Sequence, residues 1–155
     1  MRISAAMAAL LLFSSLASAP PARANGAPLD SPVGLWQPLD SSGKPEGLIR
    51  IFERKGLYYG RIEPASPTDD RNARCTRCTG KQHDQPIIGL VIMRHLKPKN
   101  GEYVGGSILD PNTGHVYSCS LRLTDGGHKL IMRGFLGISL FGSSQTWLRV
   151  TGPRR

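Results

Sequence analysis

The sequence predicts an all-β protein, folded as an eight-stranded antiparallel up-and-down barrel. Three observations carry that expectation. Short apolar runs alternate with turn residues at the spacing of strands, and no long run has helical periodicity. Eight such runs follow one another with mostly short links, the pattern of neighbouring antiparallel strands. Gly and Pro number 18 and 12, which calls for many turns without reaching the level of a disordered chain. Closing the sheet removes its exposed edges, and eight strands leave an interior for packed side chains or one small ligand. A two-sheet sandwich is the structural alternative.

The chain opens with an address. Met1-Arg2 supplies a basic start, Ile3 to Leu16 is apolar apart from small hydroxyl residues, and small residues follow. This is the pattern of a secretory signal peptide over residues 1–24. Ala17-Ser18-Ala19 and Ala22-Arg23-Ala24 both fit the cleavage pattern, but Pro20 after the first makes it a poor substrate. Cleavage is therefore expected after Ala24, with the product periplasmic or secreted. The apolar run is short for a bilayer span, and no later stretch has eighteen apolar residues. No Cys lies near the cleavage site, which argues against a lipoprotein.

Residues 25–31 read as a linker, 32–151 as the barrel domain and 152–155 as a basic tail. The first strand covers 35–39 and ends at Asp40-Ser41-Ser42-Gly43. Strands at 48–54 and 57–63 are joined by a tight turn at Lys55-Gly56. The fourth, largely apolar, covers 87–96, and the fifth, 103–109, follows Lys99-Asn100-Gly101. Asp110-Pro111-Asn112-Thr113-Gly114 leads into the sixth at 115–124, and Asp125-Gly126-Gly127 into the seventh at 129–135. After a 137–142 connection, 145–150 is the eighth. In the sixth strand Tyr117, Cys119, Leu121 and Leu123 share one face, which places Cys119 indoors. The second strand is ambiguous, since Ile49 and Ile51 oppose Leu48 and Phe52.

Gly34-Leu35-Trp36 at the start of the first strand, with Arg149 near the end of the last, resembles lipocalin-like barrels. There a first-strand Trp closes the barrel base and a last-strand Arg packs across it. A guanidinium on an indole face contributes roughly 0.5–2 kcal/mol. The Thr-Asp-Tyr motif of many lipocalins is absent, which sets the chain apart from the classical branch. A closer resemblance is to an exported bacterial domain-of-unknown-function family, number 2147. It rests on Pro32-Val33-Gly34-Leu35-Trp36, Cys75-Thr76-Arg77-Cys78-Thr79-Gly80, Gly105-Gly106-Ser107-Ile108-Leu109-Asp110-Pro111, Arg133-Gly134-Phe135-Leu136-Gly137-Ile138-Ser139 and Gln145-Thr146-Trp147. The resemblance implies export and a lipocalin-like barrel, and it supplies no catalytic residues.

The connection at 64–86 is long for a compact domain, and loops of that length are usually functional or disordered. It carries Cys75 and Cys78. In an oxidising compartment a structural disulfide is the simplest reading. A Cys75–Cys78 bridge would contribute ~2 kcal/mol by chain entropy, and a bridge to Cys119 ~4 kcal/mol. The inward facing of Cys119 favours the short bridge. A zinc site from Cys75, Cys78 and His83, with Cys119 as fourth ligand, is the competing reading. A thioredoxin-type role would need a helix N-terminus that the sequence does not offer, and haem attachment would need His where Thr79 stands. The loop, tethered only to itself, is also expected to act as a lid.

The formal charge of +9 suggests an acidic partner or a solvated basic surface. Export and the scattering of the basic residues argue against nucleic acid. Asp70, His83 and Asp84 share the long loop, while His95, His115 and His128 stand apart, and no hydrolase, metalloprotease or phosphate-loop motif occurs. The expectation is therefore a binding protein and not an enzyme, with no cofactor and no metal. Its partner would be a small apolar or amphipathic ligand. The expected wall comprises Ile49 and Ile51 from the second strand, Tyr58 and Ile62 from the third, and Leu90 and Ile92 from the fourth. Ile108, Tyr117, Leu121, Met132 and Trp147 complete it from the remaining strands. The alternative is an interaction module that docks on an envelope surface through the basic loop from Arg71 to Lys81.

Overall fold

The computed structural model describes residues 29–137 and 142–152. The expected signal peptide at 1–24 lies outside the described residues, as do most of the linker and tail. The strands are β1 (Gly34–Pro38), β2 (Leu48–Arg54), β3 (Leu57–Glu63), β4 (Val91–Lys99), β5 (Glu102–Leu109), β6 (Val116–Thr124), β7 (Lys129–Phe135) and β8 (Gly142–Arg149). Every strand pairs antiparallel with its sequence neighbour, and β1 pairs with β8, so the sheet is a closed barrel. The sandwich alternative is excluded by that last pairing.

The second, third and seventh strands have the boundaries read from the sequence. The fourth begins later than residue 87. Pro86 forms an isolated bridge with Arg74, and the Leu90 N–H turns back to the Ile87 carbonyl at 3.1 Å. Those bonds hold 87–90 in a turn, so Ile87 and Leu90 belong to the long connection. The eighth strand starts at Gly142, because Gly142, Ser143 and Ser144 pair with Phe135, Gly134 and Arg133 despite their weak apolar signal.

Facing follows the alternation of a pleated strand. On β2, Ile49 and Ile51 are buried, while the Phe52 ring stacks on Tyr59 with centroids 5.6 Å apart. The strand was ambiguous because its outer face carries an aromatic pair. On β6, Cys119 and Leu121 are buried and Tyr117 is half-buried, as the alternation predicts.

An up-and-down barrel gathers alternate connections at opposite ends. The closed end carries the entering chain, the tight turns at Lys55-Gly56 and Asn100-Gly101, and a short 3-10 turn at Asp125–Gly127. The open end carries the connections at 39–47, 64–90 and 110–115, and the chain leaving β7. Toward the closed end the interior is filled by Trp36, Ile51, Met93, Leu96, Leu121 and Leu130, each at most 1% exposed. Burying side chains of this size contributes roughly 1.5–3 kcal/mol apiece.

Arg149 is the bolt of the closed end. Its guanidinium carbon lies 4.3 Å from the centroid of the Trp36 ring. Its three nitrogens donate to three backbone carbonyls: Nε to Gly127 at 2.7 Å, Nη1 to Val33 at 3.0 Å and Nη2 to Ser31 at 2.6 Å. The Trp36 indole N–H in turn donates to the Pro32 carbonyl at 2.7 Å. One planar fork thus ties the entering chain, the Asp125–Gly127 turn and the barrel floor together, geometry that a lysine cannot supply. Gly34 makes room for it. A Cβ there would stand 2.9 Å from Arg149 Nη1, and the glycine has a φ of +150°, which side chains rarely adopt.

Candidate ligand-binding site

Above the filled layer the barrel is hollow. A cavity of about 1340 Å³ opens to solvent between the longer connections. Small-molecule clefts typically measure ~300–1,000 Å³, so this one has room for a sizeable ligand. Trp147 and Ile49 form part of its floor, and both are buried. Ile62, Ile92, Ile108, Tyr117 and Met132 line the wall, from strands that turn every second residue inward. The rim is polar and includes Asp40, Glu46, Asp110, Asn112 and Ser143, with Phe135 and Leu136 beside them. Leu136 is 66% exposed.

A hydrogen-bond relay links floor to rim. The Trp147 indole N–H donates to Gln145 Oε1 at 2.8 Å, and Gln145 Nε2 donates to Glu46 Oε2 at 3.0 Å. A buried indole N–H needs an acceptor, and Gln145, two residues along the same strand, supplies it. The relay crosses from β8 to the connection between β1 and β2, fixing one side of the mouth. Asp40 organises that connection. The Ser42 hydroxyl and the backbone N–H of Lys44 hold its carboxyl below the usual carboxylate range.

Seven of the eleven wall residues expected from the sequence meet at this cavity: Ile49, Ile62, Ile92, Ile108, Tyr117, Met132 and Trp147. Four lie elsewhere. Ile51 and Leu121 belong to the filled layer, each 1% exposed. Tyr58 stands near the closed end, its ring edge-on to Tyr103 at 4.7 Å, and Leu90 is buried beside the start of β4. Alternation identifies the inward face of a strand but not the depth along it, which is why filled and hollow levels were confounded. The polar rim was missed altogether. Its only sequence signal was the run of turn-forming Asp, Asn and Ser residues. A smaller hollow of about 730 Å³ lies at the closed end beside Leu29, Asp30 and Asn100, and shares no residue with the cavity.

The long connection closes on itself through a disulfide. Cys75 and Cys78 are joined in a disulfide with Cα atoms 5.3 Å apart. Both sulfurs are thereby committed, which removes the zinc reading. The third member of that reading, His83, has Nδ1 2.9 Å from the Cys78 carbonyl oxygen. Cys119 is free and buried in the barrel, and burial pushes its thiol up to about 12. The disulfide is itself almost wholly buried, with Cys75 Sγ 3.4 Å from the Pro111 carbonyl. Gly114 lies so close to the Arg77 carbonyl that a Cβ there would overlap it. The loop therefore leans on the connection between β5 and β6, and of the whole 64–90 connection Ile87 lines the cavity. The bridge ties the loop only to itself, as the lid reading requires, and the loop also rests against the neighbouring connection.

A closed eight-stranded barrel with a Trp–Arg base and an open apolar cup is a lipocalin-like fold. The chain belongs to the family described as "Uncharacterized protein conserved in bacteria (DUF2147)", matched over residues 34–149. Among solved structures it is similar to protein HP1028 from the human pathogen Helicobacter pylori, described as belonging to the lipocalin family. The TM-score is 0.68 at 17% identity, over 78% of this chain and 84% of that one. At that identity the likeness is one of fold. No curated protein matches the sequence.

Proposed function

We propose that this protein is an exported binding protein which holds a small apolar or amphipathic ligand in the open end of its barrel, without catalysis. The observation that carries this reading is the hollow upper half, with apolar walls and a polar rim, above a tightly filled base. A barrel meant only as a structural module could fill its interior throughout, as eight strands permit. This one fills half. The division suits an amphiphile, whose apolar part would displace water from Ile62, Ile92, Ile108 and Met132 while its polar part stayed at the rim. Burial of apolar ligand surface there would contribute about 25 cal/mol per Å² before the costs of association. The lipocalin-like fold supports the same class of function, and the basic start and apolar run of residues 1–24 support export.

Native mass spectrometry of the protein purified from its own cell envelope tests this reading. A retained small molecule, released on unfolding, is the expected result. Apoprotein alone, combined with no uptake of added amphiphiles, would overturn it.

A further inference from the structure

We propose that the ligand of this cavity is a single-chain amphiphile with a cationic, ammonium-type headgroup, and that Glu46 is its counter-charge. The proposal rests on the binding reading above and adds the chemistry of the headgroup.

The chain carries 20 Lys and Arg against 11 Asp and Glu. Among the described residues, the cavity reverses that balance. Asp40, Glu46 and Asp110 line it, and no Lys or Arg does. A basic protein with an acidic pocket mouth presents a local field opposite to its net charge, which is complementary to a cation and repels a carboxylate. The three acids differ in what they have left to offer. Asp40 Oδ1 accepts from the Ser42 N–H, the Ser42 hydroxyl and the Lys44 N–H. Asp110 accepts from the Asn112 N–H and the Thr113 hydroxyl. Both are engaged in shaping turns and contribute charge at a distance.

Glu46 is placed for direct contact. Its Oε2 accepts from Gln145, and Gln145 cannot turn its amide over. The Trp147 indole is only a donor, so it must face the amide oxygen, leaving the amide nitrogen to face Glu46. The relay rooted in the buried Trp147 therefore fixes the carboxylate at the rim. A single amide donor leaves the carboxylate oxygens further acceptor capacity. An ammonium there would meet this carboxylate while its chain descended along Ile62, Ile108 and Met132. The nearby guanidinium of Arg133 donates to Ser144 and is not among the lining groups.

The test uses the neutral fluorescent probe N-phenyl-1-naphthylamine, bound to the full folded protein, and two competitors of equal chain length below their micelle concentrations. Decylammonium is expected to displace the probe at about tenfold lower concentration than decanoate at neutral pH and low salt. The preference should shrink as salt screens the rim. Glu46→Gln should reduce it to within about twofold, with each competitor's displacement referred to that variant's own probe affinity, and Glu46→Lys should favour decanoate. Glu46 is exposed, so neither variant disturbs the core. Equal displacement by the two competitors, or a preference for decanoate, would overturn this proposal and leave the binding reading standing. A preference for decylammonium that survives both substitutions would overturn the role of Glu46. Failure of the probe to bind at all would overturn both readings.

Discussion

Replacing Arg149 with Ala removes the bolt of the closed end, and the structure sets the size of the effect. Three charged hydrogen bonds to backbone carbonyls are lost, each worth ~1.5–3 kcal/mol in a favourable setting. The stacking on Trp36 adds ~0.5–2 kcal/mol. The guanidinium is only half-buried, so water can replace part of what is lost, and contributions that share one side chain do not add. We expect a loss of about 3–4 kcal/mol. A domain of this size has roughly 5–15 kcal/mol in total, so the variant should fold with a much lower urea midpoint. Arg149→Lys keeps the charge but not the three-way fork, and should recover less than half of the loss. Urea unfolding followed by circular dichroism measures both, with the slope checked for constancy. A double-mutant cycle with Trp36→Leu should give a coupling of ~0.5–2 kcal/mol. A loss below ~1 kcal/mol for Arg149→Ala, or strict additivity with Trp36→Leu, would refute the account of the base.

Three further predictions follow from particular residues. Cys75 and Cys78 should be recovered in one internally bridged peptide under non-reducing conditions, and replacing both should cost ~2 kcal/mol while the barrel stays folded, because so short a ring constrains little chain. Thiol-specific labelling of the native protein should find neither sulfur. Cys119 has a folded-state pKa raised from 9.0 to about 12 by burial, so its contribution is complete below pH 9 and is lost as the pH rises through that interval. Between pH 8 and 10.5 wild type should lose about 2 kcal/mol relative to Cys119→Ala, and parallel pH profiles would contradict the burial. N-terminal sequencing of exported protein should begin at Asn25, and an intact Met1 in the exported fraction would refute the proposed cleavage.

The fold was legible because its instructions are local. Turn residues such as Lys55-Gly56 and Asn100-Gly101 mark hairpins directly, and the alternation from Tyr117 to Leu123 fixes which face of β6 is inside. The Trp36–Arg149 pair was legible for another reason. Its members occupy the first and last strands, which a closed barrel must bring together. What escaped reading depends on position along the barrel axis. Ile49 and Ile51 share a face and a residue type, yet one lines the cavity and the other lies in the filled layer beneath it. Glu46 gave no signal, because its role comes from a bond to Gln145, ninety-nine residues away. The loop's rest against the β5–β6 connection was not legible, because Arg77 against Gly114 is a backbone approach without a side-chain pattern.

Filling the hollow half tests the central claim most directly. Met132 lines the cavity, partly buried against its wall, and Met132→Trp would place a larger ring in that space without opening the packed base. The measurement is a titration of N-phenyl-1-naphthylamine into wild type and variant, with circular dichroism confirming that both are folded. Saturable binding at one site per chain in wild type, weakened at least tenfold in Met132→Trp, is the predicted result. No saturable binding by wild type, or equal binding by the folded variant, would contradict the assignment of this cavity as the binding site.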